Sequence, residues 1–462
     1  MSNNQTPWCA TSGRRTVSCA ASLVAALATS TLTLFSANAL AMKTDFNIDY
    51  RATGFYAESD SFDTNDESNA GSDTGFAQYL RLGADFKHEE TGVEVHTRLE
   101  LAGDRWSGDN RDYTTTADRA FNPSNRGDNV RLDIGFVQVP LGKTLLRVGR
   151  QESNWNNCFL VCDDRRDRIF VARSFGKVSA FIGYDRRNDD TSFASIDNGD
   201  QFFPGFVTPI FDTGFTGGFL FLYYLDNYQG SIADYPLLAQ GSQPYVLDNA
   251  KAISPYVTGK IGPFQIETGF NYFDGSHVSS PTPEDGDYFT DAGWSEYFRI
   301  GTEFDRYEAR FQYVGAQDGG LISSGFDTYS SLINSNPEST ANPTSVYNMG
   351  GFLGRKGFDQ SLYIANLTAD ITPKLTFGGS VGLLDIDVGD SLGGGSDSSM
   401  VYDVELSYQY NAVFRTWATL GLLEKNDVGA LTGNSLLGAT PNGGAFAEDD
   451  VMAGSVNIGV KF

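Results

Sequence analysis

Asp450-Val-Met-Ala-Gly-Ser-Val-Asn-Ile-Gly-Val-Lys-Phe462 closes the chain. In an extended strand Val456, Ile458, Val460 and Phe462 share one face, and Ser455, Asn457, Gly459 and Lys461 share the other. Side chains of a strand alternate with period two, so this stretch offers one apolar and one polar surface. A half-buried edge strand of a soluble sheet reads the same way. A barrel wall, with lipid outside and water inside, needs the pattern in strand after strand.

The pattern recurs. Val93, Val95, Leu99 and Leu101 oppose Glu94, His96, Arg98 and Glu100, and Val130, Leu132, Ile134 and Phe136 oppose Arg131 and Asp133. Phe264, Ile266, Phe270 and Tyr272 oppose Gln265, Glu267 and Asn271. Trp294, Phe298, Ile300 and Phe304 oppose Arg299 and Glu303; Phe311 and Tyr313 oppose Arg310 and Gln312. Tyr402, Val404, Leu406 and Tyr408 oppose Asp403, Glu405, Ser407 and Gln409. An Arg at the lipid midplane costs ~2–4 kcal/mol, which assigns the charges to a water-filled lumen.

Connection lengths supply a second signal. Tight turns at 89–92, 140–143, 175–176, 261–263, 305–306, 372–374 and 411–412 alternate with much longer links. Short turns at one end and long loops at the other are the plan of an all-β, antiparallel up-and-down transmembrane barrel. The count is sixteen strands, with both termini at the short-turn, periplasmic end. Segment 187–250 is the exception to the rhythm and reads as a long loop, folded into the pore or packed at its rim. Its apolar run Gly217-Gly-Phe-Leu-Phe-Leu-Tyr-Tyr-Leu225 is also fit to be a strand, which with a partner would make eighteen. No partner is evident between Asp226 and Ala250.

Residues 1–41 read as a secretory signal: Arg14-Arg15, an apolar core over 20–35, then Ala39-Leu-Ala41. That core is too short for a spanning helix. Residues 42–462 are then the mature barrel. The signal holds two Arg and no acid, so its removal takes the net charge from −25 to −27. Nucleic-acid binding, which wants a basic footprint, is excluded on this ground. Two of the four cysteines leave with the signal. Cys158 and Cys162 remain, and in an oxidising compartment they read as a loop disulfide. No haem attachment motif or other cofactor signature is present.

Chemistry-bearing residues concentrate in two places. Glu58 to Asp73 is an acidic stretch whose Asp60, Asp63 and Asp66 are hard oxygen ligands suited to Ca²⁺, although the glycine and terminal Glu of an EF-hand loop are missing. A solvated external loop is the preferred reading of it. Around 147–187 the balance inverts to arginine: Arg147, Arg150, Arg165, Arg166, Arg168, Arg173, Arg186 and Arg187. They either pair with Asp163, Asp164, Asp167 and Asp185 or stand free to steer a solute. The candidate pore lining sets Arg81, Arg98, Arg131, Arg147, Arg173, Arg299, Arg310 and Arg415 against Asp85, Glu94, Asp133, Glu267, Glu303, Asp403 and Glu405. Charges facing each other across a pore orient water and polar solutes.

Phe462, as a free aromatic terminus on such a strand, resembles the assembly signal of bacterial outer-membrane proteins, which implies recognition by barrel-assembly machinery. Leu146-Arg-Val-Gly-Arg-Gln151, followed by an arginine-rich re-entry, resembles porins of the alginate-export type. That resemblance implies a large Gram-negative outer-membrane barrel with an arginine-rich lumen passing anionic or small organic solutes. It makes Arg147 and Arg173 lumen contacts, with Arg150 on the face opposite Arg147. An enzyme is not expected, because no Gly-x-Ser-x-Gly occurs and His88, His96 and His277 lie apart. The reading is therefore a passive porin in lipid and lipopolysaccharide, with a homotrimer allowed. Its competitors are a sheath around a partner such as a periplasmic cytochrome, and a receptor or adhesion barrel acting through 187–250 and 317–359.

Overall fold

The computed structural model describes residues 42–59, 72–102, 130–186, 200–210, 213–225, 249–274, 292–323, 325–334, 345–347, 349, 356–389, 394–428 and 449–462. Their regular structure is entirely strand. In chain order these are β1 (Met42–Glu58), β2 (Ser72–His88), β3 (Glu94–Ala102), β4 (Arg131–Leu141), β5 (Thr144–Trp155) and β6 (Val161–Phe175). Next come β7 (Val178–Arg186), β8 (Asp200–Ile210), β9 (Phe215–Leu225), β10 (Lys251–Ile261), β11 (Phe264–Asp274) and β12 (Ala292–Phe304). The last six are β13 (Tyr307–Gln317), β14 (Phe358–Thr372), β15 (Leu375–Val388), β16 (Gly395–Gln409), β17 (Phe414–Leu423) and β18 (Val451–Lys461).

Each strand pairs antiparallel with its sequence neighbours, and β1 pairs with β18, from Asp49↔Lys461 to Glu58↔Met452. The sheet is a closed, eighteen-stranded barrel. Closure leaves no unpaired edge, the one way a sheet can satisfy its backbone in hydrocarbon.

Alternation sorts the faces as the terminal stretch requires. Met452, Val456 and Ile458 point outward and are exposed, while Val451, Ala453, Ser455 and Asn457 point inward and are buried. The same outward band carries Phe298, Phe311, Leu367, Val381, Leu406 and Leu420. Connections at 142–143, 176–177, 262–263 and 305–306 are tight and lie at the end where β1 begins and β18 ends. Links at the opposite end include 103–130 and 318–357.

The count of sixteen was two short. Segment 187–250 supplies β8 and β9, paired from Asp200↔Leu225 to Ile210↔Phe215. The partner of the apolar run precedes it in the chain. Pro204 and Pro209 within β8 lack N–H donors and disguise it as a loop.

An outward charge tests this wall. Leu420→Arg is expected to destabilise the barrel by ~2–4 kcal/mol, read by urea unfolding in lipid vesicles. Thr419→Arg, one residue away but lumen-facing, should cost clearly less.

Candidate functional site

Among the described residues, two inserts cross the lumen. The first is the β5–β6 hairpin, whose connection at 156–160 is short although it lies at the long-loop end. Asn156, Asn157, Cys158 and Asp163 have left-handed φ values of 57°, 52°, 66° and 51°. Asn and Asp adopt this conformation more readily than other L residues. Cys158 and Cys162 are joined as a disulfide across the tip, Cα–Cα 4.4 Å.

This tip is tied to the far wall. Trp155 Nε1 donates to the Ser254 carbonyl at 3.0 Å, and Asn156 Nδ2 donates to Ser254 Oγ at 3.2 Å. Asn157 Nδ2 reaches Glu267 at 2.9 Å and Tyr297 Oη at 3.0 Å. On its own side the hairpin is held by charge. Arg81 contacts Glu100 at 3.1 Å, Asp133 at 3.7 Å and Asp163 at 3.4 Å. Arg98 pairs with Asp133 and with Glu152 at 2.6 Å, and Arg165 with Asp133 and with Asp163 at 2.8 Å. Buried ions need such partners, since their desolvation is otherwise too costly.

The second insert is the β13–β14 link. Its Phe326 ring packs against Phe159 at 4.8 Å and Tyr297 at 5.0 Å between centroids. Leu332, Ile333, Tyr347 and Met349 are fully buried among Leu362, Ile364, Leu384, Val401 and Leu423 of the inner wall. The lumen is therefore not uniformly polar: near the long-loop end its β12–β18 side is apolar, and this insert covers it. Among the described residues the segment folded into the pore lies within 318–357, and the described part of 187–250 supplies wall strands β8 and β9. Polar anchors fix its register. Ser331 N–H and Oγ–H both donate to Asp403 Oδ1, at 2.8 and 2.5 Å, and Ser380 Oγ donates to the Tyr329 carbonyl at 2.7 Å. Arg299 holds the Asp327 carbonyl and lies 4.4 Å from the Phe326 ring centroid. Burial raises the Tyr329 phenol above its ordinary pKa, against the opposing pull of Arg299 and Arg310. Gly421 makes the approach feasible, because a Cβ there would lie 2.9 Å from Leu332.

Most sequence-selected residues meet inside. Arg299 contacts Glu267 at 3.4 Å, Arg415 contacts Glu405 at 2.8 Å, and Arg310 donates to Asn366 at 2.8 Å. Asp85 and Glu94 bracket His96 at 2.7 and 3.1 Å, and His96 stacks on Phe136. Glu303 is exposed beside the tight turn at 305–306. The acids offered as arginine partners are so used: Asp163 by Arg165, Asp164 by Arg166, Asp167 by Arg150 and Asp185 by Arg168.

Two assignments are corrected. Arg173 is on the outward face, sharing its side with exposed Ile169 and Phe175 and lying 5.3 Å from the Phe175 ring centroid. Lumen residues of β6 include Arg168 and Phe170, both beside Phe203. Phe136 is inward, because a register shift between Arg98 and Leu99 leaves Asp133 without a partner opposite and reverses the parity below it. The side chain of Arg131, with Asp60, Asp63, Asp66, His277 and residues 1–41, lies outside the described residues.

Arg147 differs from the other candidates. Its Nε donates to Gln138 at 2.7 Å and it lies 5.6 Å from the Phe136 ring centroid, but it makes no ion pair among the described residues. It borders a lumen cavity of about 580 Å³ between hairpin and wall, lined also by Trp155, Arg168, Phe170, Phe181 and Leu220.

No protein-family model and no curated protein matches this chain. Solved structures do share its fold. It is similar to the outer membrane protein OprD from Pseudomonas aeruginosa, TM-score 0.53 and 11% identity, over 91% of this chain and 93% of that one. Acinetobacter baumannii OccAB2 gives TM-score 0.54 and 13% identity over 91% and 98%. Pseudomonas aeruginosa OccK2 (OpdF), solved in complex with glucuronate, gives 0.53 and 10% over 91% and 96%. The shared feature is the outer-membrane barrel fold.

Asp403 tests the insert. Asp403→Ala removes two hydrogen bonds to a carboxylate, each worth about 1.5–3 kcal/mol. Amide exchange at Ser331 should quicken by at least about tenfold, while the β16 amides stay protected.

Proposed function

We propose that the chain is a Gram-negative outer-membrane porin through which small hydrophilic solutes diffuse, with small anions such as organic acids or sugar acids as its favoured class. The observation that carries this reading is Arg147. Among the described residues the other lumen arginines have a carboxylate within 4 Å; Arg147 borders a cavity with no ion pair, and only the longer-range attraction of Glu94 acts on its charge. Arginine presents a planar fork of donors suited to a carboxylate. The ion pairs of the β5–β6 hairpin set Arg81, Arg98 and Arg165 against Glu100, Asp133, Glu152 and Asp163, so fixed dipoles with one acid in excess narrow the path and orient water.

Two likenesses support the solute class. The 146–151 stretch resembles alginate-export-type porins, and OccK2, of the same fold, was solved with glucuronate. The fold and the outward apolar band support the outer membrane as location, with 1–41 as export signal and Phe462 as assembly signal. A sheath around a second protein is disfavoured, because the hairpin spans the bore that such a partner would need. The passive pore requires neither a catalytic group nor a cofactor.

The mature chain in planar bilayers should show stable open conductance. Under a salt gradient, Arg147→Ala should shift the reversal potential towards cation preference, with a several-fold fall in the anion-to-cation permeability ratio. Silence from a correctly folded, heat-modifiable barrel would sink the channel reading.

A further inference from the structure

The outward face of β5–β8 breaks the apolar rule. Arg150, Asp167, Arg186 and Asp200 stand in register across these four strands, on the side opposite the inward Gln151, Arg168, Asp185 and Gln201. Arg150 Nε and Nη2 hold the two Asp167 oxygens at 3.1 and 3.2 Å. Arg186 Nη1 and Tyr184 Oη both donate to Asp200, at 2.9 and 2.8 Å. Arg150 and Asp167 remain 42% and 59% exposed. Counted from the tight turns, Arg150 lies at the height where β12, β15 and β17 show Phe298, Val381 and Leu420. Glu296, at a similar height on β12, is half-buried and accepts the Tyr313 hydroxyl at 3.0 Å. Arg186 and Asp200 are half-buried, but a row of four outward charges, two of them exposed, does not belong in hydrocarbon.

We propose that this face seats a second copy of the chain, related by a twofold axis along the membrane normal between β6 and β7. The inference rests on the outward face being a membrane face. Signs alternate along the row, so an anionic lipid headgroup is repelled at two positions as it is attracted at the other two. A twofold copy presents the row reversed. Asp167 of each protomer then meets Arg186 of the other, and Arg150 turns towards Asp200, a self-complementary contact of the isologous kind. Exposed Val148, Ile169, Ile182 and Phe202 flank the row and supply the apolar part of the contact. A threefold ring would instead join two different faces and leave this complementarity unused.

The test is native mass spectrometry of the mature chain in lipid nanodiscs, with bis-maleimide crosslinking of Ile169→Cys in vesicles. A dimer that crosslinks through position 169 is expected. The double variant Arg150→Leu/Asp167→Leu keeps the internal Arg186–Asp200 pair but removes every proposed intermolecular one, and should be monomeric. A monomeric or trimeric wild type, or a dimer indifferent to the double variant, overturns the proposal. Single-pore conductance separates this from the channel reading: the double variant should conduct as the wild type does, and a silent wild type would refute the channel while leaving the dimer standing.

Discussion

A strand at the edge of a sheet carries unanswered N–H and C=O groups, and in a bilayer neither water nor lipid can answer them. The seam between β1 and β18 is where this chain meets that requirement. Ile48 N–H donates to the Phe462 carbonyl at 2.7 Å, and Phe462 N–H donates back to Ile48 at 3.0 Å. The rest of the molecule depends on that register. A slip of one residue would turn Ser455 and Asn457 towards lipid and Val456 and Ile458 towards the lumen. Thr53, Asn457, Ser455 and Thr419 form a hydrogen-bonded track across the seam, so polar side chains fix the same register from inside.

A wall of this circumference encloses more space than its own side chains can fill. The chain fills it with two inserts held by different physics. The β5–β6 hairpin is tied by ion pairs on one side and amide hydrogen bonds on the other, both short-ranged and directional. The β13–β14 insert is held mainly by apolar burial against the β12–β18 wall, with Asp403 and Ser380 setting its register. They meet at the tip: Phe159 and Phe326 are in ring contact, and Ser323 N–H donates to the Phe159 carbonyl at 3.0 Å. A Cβ at Gly325 would lie 2.7 Å from Cys162 Sγ, so the two inserts touch at the disulfide itself.

The alternating strands were legible wherever they obeyed period two without interruption, as in β12 and β16. They were illegible where a local feature interrupted it. Prolines at 204 and 209 hid β8, and without β8 the apolar run of β9 lacked a mate. The register shift near Asp133 turned Phe136 into the lumen, where His96 and Arg147 pack on it. The resemblance to alginate-export-type porins assigns Arg173 to the pore, although parity with Ile169 and Phe175 places it outside. The acids near the arginines were legible as partners, because Asp163, Asp164, Asp167 and Asp185 lie within the same strands or the next one.

The sequence by itself determined the membrane barrel and, wherever period two runs uninterrupted, which residues face in and which face out. Those properties follow from alternation, which is local and needs only neighbouring residues to be read. What lies inside the wall was decided by tertiary structure alone. Asn157 meets Glu267 because the closed ring faces β5–β6 with β11, and Ser331 meets Asp403 because the β13–β14 link folds back over the neighbouring wall. No local period records that pairing. Whether a given arginine is ion-paired, as Arg168 is, or has no ion pair among the described residues, as with Arg147, depends on such contacts.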